Sequence, residues 1–161
     1  MTAPTGVAAS AAPDPQARAL SSMLASAHAA VYAAAAAGGV LAPLGDAARP
    51  ARDLARNALD DHRALRDTLV AMLRTRGATP PAALAAYQLP VEPAGVAGSL
   101  DLLARIEDQS AVSALAAVDV LTGADREMAV DTLVAMTLRG QRARLAAGVA
   151  PGSATAAFPG R

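Results

Sequence analysis

The sequence predicts an all-α protein, a four-helix bundle in which a long crossover joins the second helix to the third. Three observations carry this. Apolar residues recur at helical spacing in four separate stretches, and Val and Ile never alternate with polar residues for more than a few positions. Gly and Pro gather between those stretches and punctuate them. The links between them run short, long, short, and the middle one covers residues 77–98.

Composition narrows the function classes. The chain has 161 residues, enough for one compact domain. Alanine supplies 46 of them, while aromatic residues are limited to Tyr32, Tyr87 and Phe158. Fourteen Arg and no Lys balance fourteen Asp and Glu, so the net charge is +0. Such a chain lacks the basic field that nucleic-acid binding uses. The absence of Cys excludes disulfides, iron–sulfur clusters, Cys-zinc sites and thiol nucleophiles.

Residues 1–14 show no periodicity and are expected to form a disordered N-terminal tail. The first helix is expected to open at Asp14-Pro15, an acidic N-cap followed by Pro in the first turn. Its apolar stripe is Leu20, Met23, Leu24, Ala27, Val31 and Ala34, and Gly38-Gly39 is expected to end it. Residues 19–45 carry no formal charge, which is long enough to span a bilayer. The interspersed Ser21, Ser22, Ser26, His28 and Pro43, with bulk that is mostly Ala, fit a buried bundle helix better. Residues 1–12 contain no Lys or Arg, and no compact apolar block follows at the distance a signal peptide would require. A cytoplasmic protein with no membrane partner is expected.

The second helix is expected from Pro50 to Arg76, with Leu54, Ala58, Leu59, His62, Leu65, Leu69, Met72 and Leu73 on one face and Gly77 as its stop. Residues 77–98 hold Pro80, Pro81, Pro90 and Pro93 and cannot form one helix, although a helical turn is expected at Pro81–Tyr87. Ser99 has the look of an N-cap for the third helix, whose inward stripe is Leu100, Leu103, Ile106, Glu107, Ser110, Ala114, Ala117 and Leu121. Thr122-Gly123 breaks the chain before a fourth helix at Ala124–Ala147, expected to face inward with Ala129, Val130, Leu133, Val134, Met136, Thr137 and Gly140. The bundle is thus expected over 15–148, with an irregular C-terminal tail at 149–161.

A helix of about 27 residues is about 40 Å long, and a 22-residue link can reach about 70 Å. The link is therefore long enough to run the length of the bundle and start the third helix from the far end. Two hairpins joined in that way form the ferritin-like arrangement.

Few polar residues lie on the inward stripes. A di-iron site of that fold asks for inward Glu on two helices and Glu-x-x-His on the other two. The sequence offers Ala27 beside His28, Leu59-x-x-His62, a lone Glu107, and Val130-x-x-Leu133. No metal and no cofactor are therefore expected. His28, His62 and Glu107 are the set that would hold a single metal ion if any did. The expected alternative is a buried polar cluster of His28, Tyr32, His62, Arg66 and Glu107 that holds the helices in register. No Ser sits on a nucleophile turn, and no catalytic residue is assigned.

The stretches Ala27-His28-Ala29-Ala30-Val31-Tyr32, His62-Arg63-Ala64-Leu65-Arg66-Asp67, Arg76-Gly77-Ala78-Thr79-Pro80-Pro81, Ala86-Tyr87-Gln88-Leu89-Pro90, Arg105-Ile106-Glu107-Asp108 and Thr155-Ala156-Ala157-Phe158-Pro159-Gly160 form a set. Together they resemble an actinobacterial ferritin-like family of unknown function. The similarity covers about residues 17–160 in the same order. The Glu that precedes His in that family is Ala27 here, a Tyr-Gly-Tyr-Gly-type turn is replaced by Ala33–Ala37, and a late Trp of the fourth helix is missing. The resemblance implies the fold and no reaction. The expected function is a non-enzymatic protein-interaction or scaffold module, a homodimer by the base rate of assemblies and by its Ala-rich faces. The alternatives are a metal-binding protein or oxidoreductase at His28, His62 and Glu107, and a small-ligand carrier with an interhelical pocket beneath Tyr87.

Overall fold

A computed structural model describes residues 14–154, so most of both predicted tails lies outside the described residues. The described residues form four long helices: α1 (Pro15–Leu41), α2 (Arg49–Thr75), α3 (Gly95–Val120) and α4 (Gly123–Ala146). Short 3-10 turns at Ala42–Leu44 and Asp46–Ala48 link α1 to α2, and another follows at Pro151–Ser153. The described residues contain no strand.

Helix ends follow local chemistry. The Asp14 carboxylate accepts from the backbone N–H of Gln16 at 3.2 Å and of Ala17 at 3.3 Å, satisfying two donors that the first turn of α1 leaves free. At the other end of α2, Gly77 adopts φ +68° and the chain closes with Gly77 N–H on Arg74 O and Ala78 N–H on Leu73 O. This left-handed stop favours glycine because any Cβ there would crowd the backbone.

Two apolar clusters fix the topology. One joins Ala30, Ala33, Ala34, Ala37 and Leu41 of α1 to Ala51, Ala55 and Ala58 of α2, Leu100, Leu102, Leu103 and Ile106 of α3, and Ala143 of α4. The other joins Leu20, Met23, Leu24 and Ala27 of α1 to Leu69 and Leu73 of α2, Ala111, Ala114 and Ala117 of α3, and Ala129 and Met136 of α4. The end of α1 thus meets the starts of α2 and α3, so α1 runs antiparallel to both, and α2 runs parallel to α3. Residues 76–94 carry the chain between the two ends along the outside, with Ala78 packed on the second cluster and Leu89 and Val91 on the first. Helix α1 packs on α2 and α3, and α3 packs on α4, whereas α2 and α4 meet sparsely. The first cluster is built largely from Ala, which lets α1 and α2 approach closely enough to be dense without large side chains.

The stretch Pro15–Leu44 is long and apolar enough to cross a membrane by length and composition. In the folded chain its Leu20, Met23, Leu24 and Leu41 are buried against the other helices.

Several expectations change. Helix α1 continues through Gly38-Gly39 to Leu41, because neither glycine takes a left-handed conformation. Helix α3 starts at Gly95, after Pro93, so Ser99 sits inside its first turns, buried, with its hydroxyl unpartnered among the described residues. No helical turn forms at Pro81–Tyr87. On α4 the inward face is Ala129, Met136, Gly140 and Ala143, while Val130 and Val134 are 41% and 52% exposed. The inward stripe read on α3 is buried throughout.

Candidate functional site

Between the two apolar clusters lies a polar layer. Glu107 of α3 is 1% exposed, in a core that apart from His62, Ser99 and Ser110 is made of Leu, Ile, Met and Ala. A buried carboxylate is costly unless its lone pairs are filled. Here they are. Oε1 accepts from His62 Nε2 of α2 at 3.1 Å and from Arg139 Nε of α4 at 2.8 Å, and Oε2 accepts from Arg139 Nη2 at 3.0 Å. Arg139 also donates from Nη1 to Asp61 Oδ2 at 3.2 Å, where the network reaches solvent. One carboxylate thereby ties α2, α3 and α4 together, across the side on which α2 and α4 have little else in common. Beside it the Ser26 hydroxyl of α1 donates to that of Ser110 on α3 at 3.2 Å, so every helix enters the layer.

The electrostatics follow from these partners. Burial pushes the Glu107 carboxyl up, but the hydrogen bonds and charge of His62 and Arg139 outweigh it and hold the group below its ordinary value of 4.5. Because a carboxylate only accepts, the His62 proton toward it resides on Nε2. His62 Nδ1 is buried with no partner among the described residues.

Above the pair opens a groove of about 210 Å³ lined by Leu54, Asn57, Asp60, Asp61, Arg139 and Arg142. It is smaller than the pockets of about 300–1,000 Å³ that take drug-sized ligands.

Residues 19–161 match the family described as Domain of unknown function (DUF4439). The chain belongs to this family. Among solved structures, this DUF4439 chain is similar to the crystal structure of a conserved hypothetical protein, rv2844, from Mycobacterium tuberculosis, with 33% identity and a TM-score of 0.73. The match covers 90% of this chain and 97% of that one. No curated protein matches it.

Of the residues singled out in this DUF4439 sequence, His62 and Glu107 come together and the others lie elsewhere. His28 Nε2 is 3.2 Å from the Pro81 carbonyl, and the Tyr32 ring meets Tyr87 with centroids 5.6 Å apart. Both therefore hold the crossover against the outer face of α1. Arg66 pairs with its neighbour Asp67 at 2.8 Å, away from the layer. His28, His62 and Glu107 do not form a ligand set, and among the described residues no group of three or more His, Asp or Glu side chains could hold a metal ion.

Sequence reasoning missed Arg139 and Asp61. Arg139 sits one turn from Met136 and Ala143, on the edge of the inward face. The available signal was the unpaired Glu107: a buried carboxylate requires a cation, and the inward edge of α4 offered one.

Proposed function

We propose that the protein is a non-enzymatic, metal-free ferritin-like bundle that serves as a protein-interaction or scaffold module in the cytoplasm and assembles as a homodimer. The observation that carries this reading is the engagement of Glu107. Both its oxygens are taken by Arg139, and one also by His62, so a fixed cation stands where a metal ion would need carboxylate lone pairs. The antiparallel α1–α2 and parallel α2–α3 order, with the crossover on the outside, supports the ferritin-like assignment. Of the six positions at which that fold presents acids and imidazoles, four carry Ala27, Leu59, Val130 and Leu133, and the other two, His62 and Glu107, are engaged with each other. These residues do not fit a di-iron centre, and the layer is a structural tie that leaves the outer faces free for partners.

The test is elemental analysis of protein purified from its native host, alongside the His62→Ala variant. The reading expects no stoichiometric transition metal in either. A stoichiometric metal that is lost on His62→Ala overturns it.

A further inference from the structure

Helix α4 carries its larger aliphatic residues on the wrong side. Its buried face is Ala129, Met136, Gly140 and Ala143, whereas Val130, Val134, Leu138 and Leu145 are each at least 41% exposed. With Gln141 they stand four, four, three and four residues apart, the spacing of a seam that packs on another helix. At about 100° per residue, this stripe lies on the side of α4 away from its buried face. We propose that the stripe is the homodimer interface, in which α4 packs antiparallel on α4 of a second copy. The proposal rests on reading the bundle as an interaction module, and it names the surface.

The charges beside the stripe select a second copy in that orientation. Asp131 lies along one flank in the N-terminal half of α4 and Arg142 along the same flank in the C-terminal half. Both are exposed, and neither has an ion-pair partner among the described residues. A two-fold axis across antiparallel helices brings like flanks together, so Asp131 of each copy meets Arg142 of the other. The midpoint of Asp131 and Arg142 falls one residue from the midpoint of Val130 and Leu145, about 1.5 Å along the axis. One alignment therefore serves both the apolar seam and the charges. On the other flank Arg144 is bound by Asp108, and Arg126 is carried beside the C-terminus of the partner helix, where the free carbonyls and the helix dipole favour a cation. A parallel arrangement lets Arg126 face Asp131 of the other copy but sets Arg142 against Arg144, like charge on like, whereas the antiparallel one pairs Arg142 with an acid.

The size of the surface sets the strength. A 24-residue helix is about 36 Å long, and a strip about 10 Å wide gives roughly 400 Å² per copy, small for a specific interface. The dimer is thus expected to exchange and to dissociate on dilution.

The test is sedimentation of the full chain over a range of concentrations, with cross-linking. The native protein is expected to shift from twice the chain mass toward 16.0 kDa on dilution. Val134→Glu and Leu138→Glu are expected to give only the single-chain mass, with unchanged helical circular dichroism because both positions are exposed. The chain has no Cys, so introduced thiols report geometry directly. A mixture of Val130→Cys and Leu145→Cys chains is expected to form the mixed disulfide, and Val130→Cys alone none. A native chain that stays monomeric, a dimer indifferent to both Glu substitutions, or self-linking of Val130→Cys overturns the proposal. A native chain that stays monomeric also removes the homodimer from the proposed function, whereas a dimer indifferent to both Glu substitutions removes only this surface; the metal analysis is independent of either.

Discussion

The guanidinium of Arg139 straddles the carboxylate of Glu107, with Nε on one oxygen at 2.8 Å and Nη2 on the other at 3.0 Å. The fork geometry matches a carboxylate in a way that an ammonium cannot. Arg139→Leu leaves Glu107 buried with His62 as its remaining partner. Stability is expected to fall by about 3–5 kcal/mol, the usual cost of stranding one member of a buried pair. Arg139→Lys is expected to recover only part of it. Urea unfolding at neutral pH measures both.

Glu107→Leu is expected to cost less, about 1–3 kcal/mol, because Arg139 keeps Asp61 and reaches solvent while only the His62 donor is stranded. The double variant Glu107→Leu with Arg139→Leu is then expected to be more stable than Arg139→Leu alone. A double-mutant cycle checks this, and a coupling near zero would show that the pair is not a unit.

Acid lability follows from the same group. Glu107 is held below its ordinary value of 4.5, so its ionised form stabilises the fold. That contribution is fully present above the unfolded value and is lost as pH falls below it, because the unfolded chain takes up the proton first. Stability measured by thermal melts is expected to decline as pH drops below about 4.5. In Glu107→Gln that part of the decline should be absent, and an identical profile would remove Glu107 as its source.

Two glycines give opposite predictions. Around Gly38 there is open space for a Cβ, and the residue lies in helix interior, so Gly38→Ala is expected to stabilise by about 0.5–1 kcal/mol. At Gly98 a Cβ would lie 3.0 Å from the Glu92 carbonyl oxygen and 3.3 Å from the Pro93 carbonyl carbon. The end of the crossover is folded directly over the first turn of α3, so Gly98→Ala is expected to lower the melting temperature despite its better helix propensity.

The crossover is fastened by His28 to Pro81 and by Tyr32 to Tyr87, whose hydroxyl also accepts from Leu84 N–H at 2.9 Å. An aromatic pair of this kind contributes about 0.5–1.5 kcal/mol. Tyr32→Ala is expected to quicken chymotryptic cleavage at Leu84 and Tyr87 while the melting temperature changes little. Equal cleavage rates would show that Tyr32 does not hold the strap.

The helices, their order and the length of the crossover were legible because Pro and Gly punctuate the chain and because α3 buries a regular stripe. The face of α4 was legible in part: Ala129, Met136 and Gly140 are buried and Leu133 packs on the second cluster, as their spacing implied. Its buried residues are mostly Ala and Gly, which carry little hydrophobic signal, and Val130, Val134 and Leu138 point outward. Ser99 resembled a cap because Asp101 follows it, yet Pro93 had already set the start of α3 at Gly95. Within the site, His62 and Glu107 were visible as polar residues on apolar stripes. Arg139 was not, since a long side chain reaches the core from a position at the edge of its helix. His28 and Tyr32 sat on the same helix as a core stripe, but at its margin, where the crossover covers them.

The route taken by residues 76–94 has a consequence for how the molecule tolerates damage. The strap joins two helical hairpins along the outside and supplies few of the surfaces on which they meet. A nick near Leu84 would leave α1–α2 and α3–α4 each intact and still clamped by Glu107, Arg139 and His62. The two pieces should then stay together as a non-covalent whole, and new sequence could be inserted at that site without unthreading the core.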